Sequence, residues 1–174
     1  MATTQPVLHF FKDTGLFPNS KLPAVLYPRV LTLPPVCKGR FIRKLFAGHY
    51  WTNAWDAGVF TYPHYHSTTH EVLGFYKGGT VIQLGGETGV KLTVAAGDVL
   101  VIPAGVAHCN LGAEYDVRCI GAYPDGRDYD ILTGEPSERP AADRNIAAVP
   151  LPREDPVVGP GKGLPRIWAM RPVR

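Results

Sequence analysis

The sequence lacks a long apolar run of the kind that spans a membrane, and it has few cysteines. Cys37, Cys109 and Cys119 form an odd, widely spaced set, which predicts a reducing compartment rather than a disulfide framework. The first residues have neither the basic segment nor the apolar core of a signal peptide, so we predict a cytoplasmic protein. The net charge is also small. A formal value of +3 is too low to indicate a general nucleic-acid-binding surface.

Glycine and proline, in contrast, are abundant in this chain. The 174 residues are enough for one domain with a sizeable core, and they include 19 glycines and 17 prolines. This composition favours a turn-rich β protein over a helix bundle. We therefore treat residues 1–174 as a single domain with three parts, which span residues 1–49, 50–123 and 134–174.

The N-terminal part, residues 1–49, is predicted to hold short strands and one convincing helix. Apolar runs lie around Leu8–Phe11 and Ala24–Leu33. The helix is predicted over residues 34–47, with Thr32 as a possible cap, Gly48 as the stop and the outside of a sheet as its packing surface. Its apolar positions recur at helical spacing: Phe41, Ile42, Leu45 and Phe46.

Residues 50–123 alternate short β-branched and aromatic segments with glycine turns. Several short strands at this spacing, with no useful helix between them, indicate a sandwich or barrel and argue against a parallel α/β sheet. Gly85 and Gly86 are expected to join two of the strands as a hairpin-like connection. The predicted strands are Gly58–His66, Glu71–Tyr76, Gly79–Leu84, Val90–Ala95, Asp98–Pro103, Ala107–Leu111 and Val117–Tyr123.

The C-terminal part, residues 134–174, loses this pattern. Residues 136–174 contain eight of the 17 prolines, and a proline-rich segment cannot pair as central strands. We predict an extended arm that wraps around this subunit or around a partner, anchored by Ile146–Leu151 and by Ile167 and Trp168. The alternative is a solvated, disordered tail.

Four side chains of the predicted barrel have the chemistry of metal ligands. His64 and His66 share one face of an extended strand, because side chains alternate with period two. Glu71 follows a short polar turn and begins the next apolar strand, while His108 re-enters the sheet after a Pro-x-Gly turn. Imidazole and carboxylate groups that converge on one point can hold a divalent metal.

The residues around these four side chains resemble the two sequence motifs of the cupin superfamily. The first motif, G-x5-H-x-H-x4-E-x6-G, matches at Gly58, His64, His66, Glu71 and Gly78. The second motif, G-x5-P-x-G-x2-H, matches at Gly97, Pro103, Gly105 and His108. The family often has Asn four residues beyond the last His; here that place is Gly112, and Asn110 lies two residues early. The whole chain looks like a small single-domain bacterial cupin of unassigned reaction.

The resemblance implies an all-β fold, the cupin double-stranded β-helix or jelly-roll barrel, with one or two short helices and the proline-rich arm. It also implies that His64, His66, Glu71 and His108 project into the barrel and hold a divalent transition metal. Such a ligand set suits Fe, Mn, Ni, Co or Zn. If the ion is six-coordinate, two positions stay free for a substrate or for oxygen.

Several neighbouring residues are assigned by strand parity. Tyr62 and Phe60 are expected to point inward with the histidines, and Tyr62 is a candidate catalytic donor or general acid; the alternative is barrel filling. Leu73 and Phe75 should point inward by parity with Glu71. The remaining assignments are His70 facing solvent or a partner, Asp98 in an exposed turn, and Cys109 as a small buried apolar residue.

Three functions are compatible with these residues. The first is a metal-dependent enzyme of dioxygenase, lyase or isomerase type, acting on a small oxygen-rich organic molecule. The second is a non-catalytic sensor or storage barrel for a small ligand, and the third is a structural barrel with a vestigial site. No nucleic-acid or membrane partner is expected. A homodimer that exchanges terminal segments is predicted from the arm and Trp168.

Overall fold

The fold of this chain is known from a computed structural model that describes residues 5–170. Within that range, the strands are Val7–His9 (β1), Ala24–Tyr27 (β2), Trp51–Ala57 (β3), Glu71–Leu84 (β4), Val90–Ala95 (β5), Val99–Ile102 (β6), His108–Asn110 (β7) and Val117–Pro124 (β8). The helices are Lys38–Gly48 (α1), Ala141–Ala148 (α2) and Leu164–Ala169 (α3), with single 3₁₀ turns at Glu114–Asp116 and Pro136–Glu138.

Two antiparallel layers share the long strand β4. Its first half lies between β6 and β8 in a sheet of order β1-β2-β6-β4-β8-β3, and its second half pairs with β5 and β7. The expected all-β jelly roll is therefore confirmed. The predicted break between the strands Glu71–Tyr76 and Gly79–Leu84 is wrong, because β4 continues through this point. Gly78 has φ +72° and a Cβ there would collide with the Asp116 carbonyl, so glycine lets β4 bend from one layer into the other.

Of the other strand predictions, some are confirmed and one is wrong. Val90–Ala95 is confirmed to the residue, and the hairpin at Gly85 and Gly86 joins β4 to β5 as expected. The predicted strand Gly58–His66 is wrong: the regular strand is β3, and residues 58–70 form a loop that pairs only at isolated bridges, at His64 and Tyr65. Pro63 has no N–H to donate, which disfavours continuous pairing through this segment.

Helix α1 begins four residues later than predicted and ends one residue later, because Gly48, the predicted stop, is its last residue and His49 is the C-cap. The proline pair at 34 and 35 disfavours helical geometry in the residue before each ring, and Cys37 at the N-cap has φ +55°, so Thr32 does not cap the helix. Ile42 and Phe46 are buried in an apolar cluster with side chains of the sheet. The expected packing on the outside of the sheet is confirmed.

The C-terminal arm, as far as residue 170, covers its own subunit. The expectation of a wholly extended arm is wrong, because α2 and α3 lie within it. Leu164 and Trp168 are buried, and the Trp168 indole N–H donates a hydrogen bond to the Pro23 carbonyl (3.0 Å). Helix α3 is short, so burial of its apolar side chains against the sheet, rather than helix propensity, stabilises it. Trp168 therefore anchors the arm, as predicted.

The main apolar core lies between the two layers of the roll. It is built from inward-facing residues of β2, β4, β5, β6 and β8, including Leu73, Phe75, Ile82, Leu100 and Cys119. No helix within residues 5–170 has both the length and the apolar composition needed to cross a membrane.

Candidate metal centre

Three buried histidines converge at one point inside the roll. One ligand atom from each of His64, His66 and His108 lies within 4.8 Å of the others, and this group could hold a metal ion. The rings of His64 and His108 are nearest, with their centroids 4.2 Å apart. The structure thus brings together the three predicted histidines, although two of them come from a loop rather than from a strand.

Backbone hydrogen bonds join the two sequence motifs at this point. The amide of His64 donates to the carbonyl of His108 (3.1 Å), and the amide of His108 donates back to His64 (2.8 Å). The amide of Gly105, in the Pro-x-Gly turn, donates to the carbonyl of His66 (2.8 Å). The loop at residues 58–70 is therefore fixed to the start of β7, and the histidine positions do not depend on side-chain contacts alone.

The three imidazoles are held in one tautomer by backbone carbonyls. Because a carbonyl oxygen only accepts, each Nδ1 must carry the proton and donate it, and in the neutral ring the Nε2 lone pair is left free. This is the arrangement typical of histidine ligands to metals. The three pairs are His64 with the carbonyl of Tyr62 (3.0 Å), His108 with that of Val106 (3.0 Å), and His66 with that of Asp130.

Glu71, the fourth predicted ligand, lies beside two of the three histidines. Its Oε2 lies 3.3 Å from Nε2 of His66 and 3.2 Å from Nε2 of His108, and the carboxyl is buried. Burial alone would raise the pKa of Glu71, but His66 and His108 outweigh it and lower the pKa, so the group is a carboxylate. Burial, together with the nearby His108, lowers the pKa of His64 to about 3, so this ring is neutral.

This donor set fits a cation. Nε2 of His66 and Nε2 of His108 each lie at hydrogen-bond distance from Oε2 of Glu71. Burial would lower the pKa of His66, but the Glu71 carboxylate outweighs it and raises that pKa, so a proton on the ring or a bound cation fits between the two groups. His66 Nε2 is buried and makes no hydrogen bond of normal geometry. Nitrogen and oxygen donors in this ratio suit a divalent transition metal.

A second layer that the sequence did not reveal positions Glu71. The Tyr123 hydroxyl donates to Oε1 of Glu71 (3.1 Å) and accepts a hydrogen bond from the Trp55 indole N–H (2.7 Å). Burial and the neighbouring Glu71 raise the pKa of Tyr123, so the phenol stays protonated and remains a donor. Trp55 fits because Gly121 has no side chain; a Cβ there would lie 2.1 Å from the indole ring.

The segment 127–132, which we call the strap, covers one side of the centre. Asp130 accepts hydrogen bonds from the amide and the hydroxyl of Ser67, and its carbonyl accepts one from His66. Tyr129 stacks on Tyr123 with ring centroids 4.8 Å apart and meets His66 edge-on. The strap thus fixes both the orientation of His66 and one wall of the site.

A cavity of about 240 Å³ adjoins the four ligand-type residues. Its other walls are mostly aromatic and aliphatic. Among the described residues that line it, Glu71 is the one Asp, Glu, Lys or Arg. The further lining residues are Trp55, Ala57, Gly58, Val59, Phe60, Leu73, Tyr123, Tyr129 and Ile131.

The parity assignments had mixed outcomes. Phe60 and Leu73 line the cavity as expected, and Phe75 lies in the core. Tyr62 is 44% exposed and is not among the residues that line the cavity, so its expected inward orientation is wrong. Its ring stacks on Phe60 (5.1 Å between centroids), because the loop does not alternate like a strand. Its catalytic role stays a prediction.

Three further assignments concern residues near the motifs. His70 is buried rather than facing solvent: its Nδ1 accepts a hydrogen bond from the Ala104 amide, and its ring contacts Trp168. Asp98 is buried as well, because its carboxylate accepts the amide hydrogens of two turns, so the expected exposed position is wrong. Cys109 is buried, as predicted.

Comparison with known proteins gave one relative by sequence and several by structure. A scan against models of known protein families found no match. The uncharacterised protein YjlB of Bacillus subtilis is 41% identical over 161 residues, which is 92% of this chain and 94% of YjlB.

The solved structures that resemble the chain cover about half of it. A pumpkin seed globulin matches with a TM-score of 0.38 and 19% identity, over 45% of this chain and 22% of its own. An 11S allergen from Cocos nucifera matches with a TM-score of 0.40 and 17% identity, over 53% and 30%. An oxalate decarboxylase variant from Bacillus subtilis matches with a TM-score of 0.35 and 22% identity, over 46% and 22%. The chain spans less than a third of the length of each of these proteins.

Proposed function

We propose that this chain, which belongs to the same family as YjlB and is a metal-binding cupin, is a metal-dependent enzyme that acts on a small oxygen-rich organic molecule. The observation that carries the proposal is the convergence of three buried imidazoles, with a carboxylate beside two of them, next to a cavity. Dioxygenase, lyase and isomerase reactions are the candidate chemistries.

His64, His66, Glu71 and His108 are the proposed ligands. A divalent ion held there would act as a Lewis acid toward oxygen atoms of the substrate. The protein itself supplies the tautomers of the histidines, which the carbonyls at Nδ1 fix before the ion arrives. Tyr123 keeps Oε1 of Glu71 occupied, so Oε2 is the carboxylate oxygen that faces the centre.

The identity of the ion also belongs to the proposal. Three imidazoles and a carboxylate are borderline-to-hard donors, which suits Fe, Mn, Ni, Co or Zn and disfavours ions that need thiolate ligands. The buried free cysteines do not compete, because neither Cys109 nor Cys119 belongs to the group of possible ligands among the described residues.

A non-catalytic sensor or storage barrel is the second candidate. It is favoured by the lack of a second acid–base group: apart from the proposed ligands, the described lining of the cavity contains no carboxylate, lysine or histidine. A bound guest would then stay unchanged.

A homodimer likewise stays a prediction, since the contacts described for the arm lie within one chain, and a mass from light scattering would test it.

Turnover separates the two candidates. The metal-reconstituted protein should be incubated under air with a panel of small hydroxy acids, enediols and catechols, and products should be followed by mass spectrometry. Turnover of one compound that is lost in His108→Ala supports the enzyme. A compound that binds tightly to the metal form and is recovered unchanged supports the sensor.

A further inference from the structure

The charge balance of the cavity restricts what it can bind. Histidine binds a metal ion in its neutral form, so a divalent ion and the Glu71 carboxylate would together carry one net positive charge. None of the described residues that line the cavity is Lys or Arg. A buried charge without a partner is strongly unfavourable, so one negative charge on a guest is compensated and a second is not.

The walls beyond the ligand residues are apolar and aromatic. Trp55, Val59, Phe60 and Ile131 face the cavity together with Leu73. Such a surface gains free energy when it is covered by apolar atoms, and besides the hydroxyls of Tyr123 and Tyr129 it offers few hydrogen-bonding side chains to the further polar groups of a sugar or a polyacid. A guest should therefore have its oxygen atoms at one end and an apolar body at the other.

The volume of the cavity sets the size of that body. An apolar cavity of about 150 Å³ holds one benzene ring. The cavity here measures about 240 Å³, so it has room for one six-membered ring and a short chelating group, and a second ring would extend beyond it. It also lies below the range of about 300–1,000 Å³ that is typical of sites for drug-sized ligands.

The walls are held in place rather than loosely arranged. Asp130 fixes the strap to Ser67, and the strap contributes Tyr129 and Ile131 to the cavity. On the opposite side, the Trp55 indole is bound to the Tyr123 hydroxyl. Pre-organised walls of this kind select guests by shape, because widening the cavity would break these hydrogen bonds.

We propose that the site selects a guest with one singly anionic, chelating oxygen group and a compact apolar body of about one ring, and that it rejects dianions. This inference rests on the proposed metal function and adds the class of substrate to it. Residues of the apolar wall, with Ile131 as the test case, determine the specificity.

Four α-hydroxy acids with the same chelating group test each part of the inference. Lactate carries a methyl group, mandelate one phenyl ring, benzilate two phenyl rings, and tartronate a second carboxylate. Dissociation constants can be measured on the Co(II)-reconstituted protein from its visible absorption, which requires no turnover. Mandelate is expected to bind about 10-fold or more tightly than each of the other three, in line with the range of about 10–200-fold for apolar pocket contacts.

A charge introduced into the wall should reverse the preference. Ile131→Lys is expected to tighten tartronate and to weaken mandelate, each by about 10-fold, because the added ammonium pairs with the second carboxylate. Leu111→Lys is the matched control, since Leu111 is exposed and is not among the lining residues. It should leave both dissociation constants unchanged.

The outcomes separate this inference from the function on which it rests. A protein that binds Co(II) but binds tartronate or benzilate as tightly as mandelate overturns the inference and leaves the metal site standing. A protein that retains no metal after reconstitution overturns both.

Discussion

Tyr123 donates its hydroxyl hydrogen to Oε1 of Glu71, and this contact fixes which oxygen of the carboxylate faces the histidines. Oε2 is left 3.2 Å from Nε2 of His108. The two residues lie on neighbouring antiparallel strands, β8 and β4, so the register of the sheet positions the phenol beside the carboxylate. A residue that is not itself a proposed ligand thereby shapes the candidate metal centre.

Removal of this hydroxyl should weaken metal binding. In Tyr123→Phe the Glu71 carboxylate loses its donor and can rotate, so metal affinity is expected to fall about 10–100-fold, as for other partners of metal ligands. Competition with a chromophoric chelator measures the change. Tyr129→Phe is the control. It removes the hydroxyl of the ring that stacks on Tyr123, and no hydrogen bond from this hydroxyl to Glu71 is described. Equal affinity of Tyr123→Phe and the wild type would contradict the assigned role.

The proposed metal ligands could be predicted from the sequence, whereas their supporting residues could not. The spacing of His64, His66 and Glu71 is local and distinctive, so the cluster is visible in one stretch of chain. Tyr123 and Asp130 reach the site through pairings that are distant in sequence, and no local pattern encodes such a register.

The errors in the fold prediction have similar physical causes. Parity placed Tyr62 inside the roll because residues 58–66 were expected to form a strand, but the loop aims its histidines through carbonyl contacts instead. The prediction begins helix α1 too early because a proline pair also suits a first helical turn, and the sequence does not reveal a left-handed Cys37. Short helices in the arm, such as α3, are stabilised by burial of residues like Trp168, which a proline count does not show.

A buried carboxylate should prove essential to the arm. Asp155 is fully buried and accepts hydrogen bonds from the Tyr27 hydroxyl and the Leu164 amide, besides those from the amides at 157 and 158. Asp155→Asn replaces one acceptor oxygen by a donor, so the free energy of unfolding is expected to fall by about 2–4 kcal/mol. Urea denaturation measures this.

The matched control for that variant is Asp125→Asn. Asp125 pairs with Arg153 at the surface (2.6 Å), and an exposed pair contributes less than about 1 kcal/mol. Similar losses in both variants would mean that Asp155 does not organise the arm.

The pH dependence of stability should include a contribution from Glu138. Its carboxylate accepts hydrogen bonds from the Thr133 and Gly134 amides and from the Tyr65 hydroxyl. Burial opposes ionisation, but these donors outweigh it and lower the pKa of Glu138. A lowered carboxyl pKa stabilises the fold above the unfolded value of about 4.3, and this stabilisation is lost as pH falls through the native pKa.

Glu138→Gln tests the sign of this effect. Because Glu138 is partly exposed, the variant is expected to lose only about 1 kcal/mol at neutral pH, and its deficit should shrink as pH falls below about 4. Urea unfolding at several pH values gives the deficit. Glu135→Gln, at an exposed neighbouring carboxyl, should show no such trend. A deficit that grows on acidification would refute the assignment.

The most direct test of the account is the metal content of the purified protein and of one ligand variant. We expect the wild type to hold about one equivalent of a divalent transition metal after reconstitution and dialysis, and His108→Ala to lose most of it while keeping its β-rich circular dichroism. His49→Ala, which changes a histidine paired with Glu154 away from the centre, should keep the full equivalent. A wild-type protein that retains less than about a tenth of an equivalent would contradict the central claim.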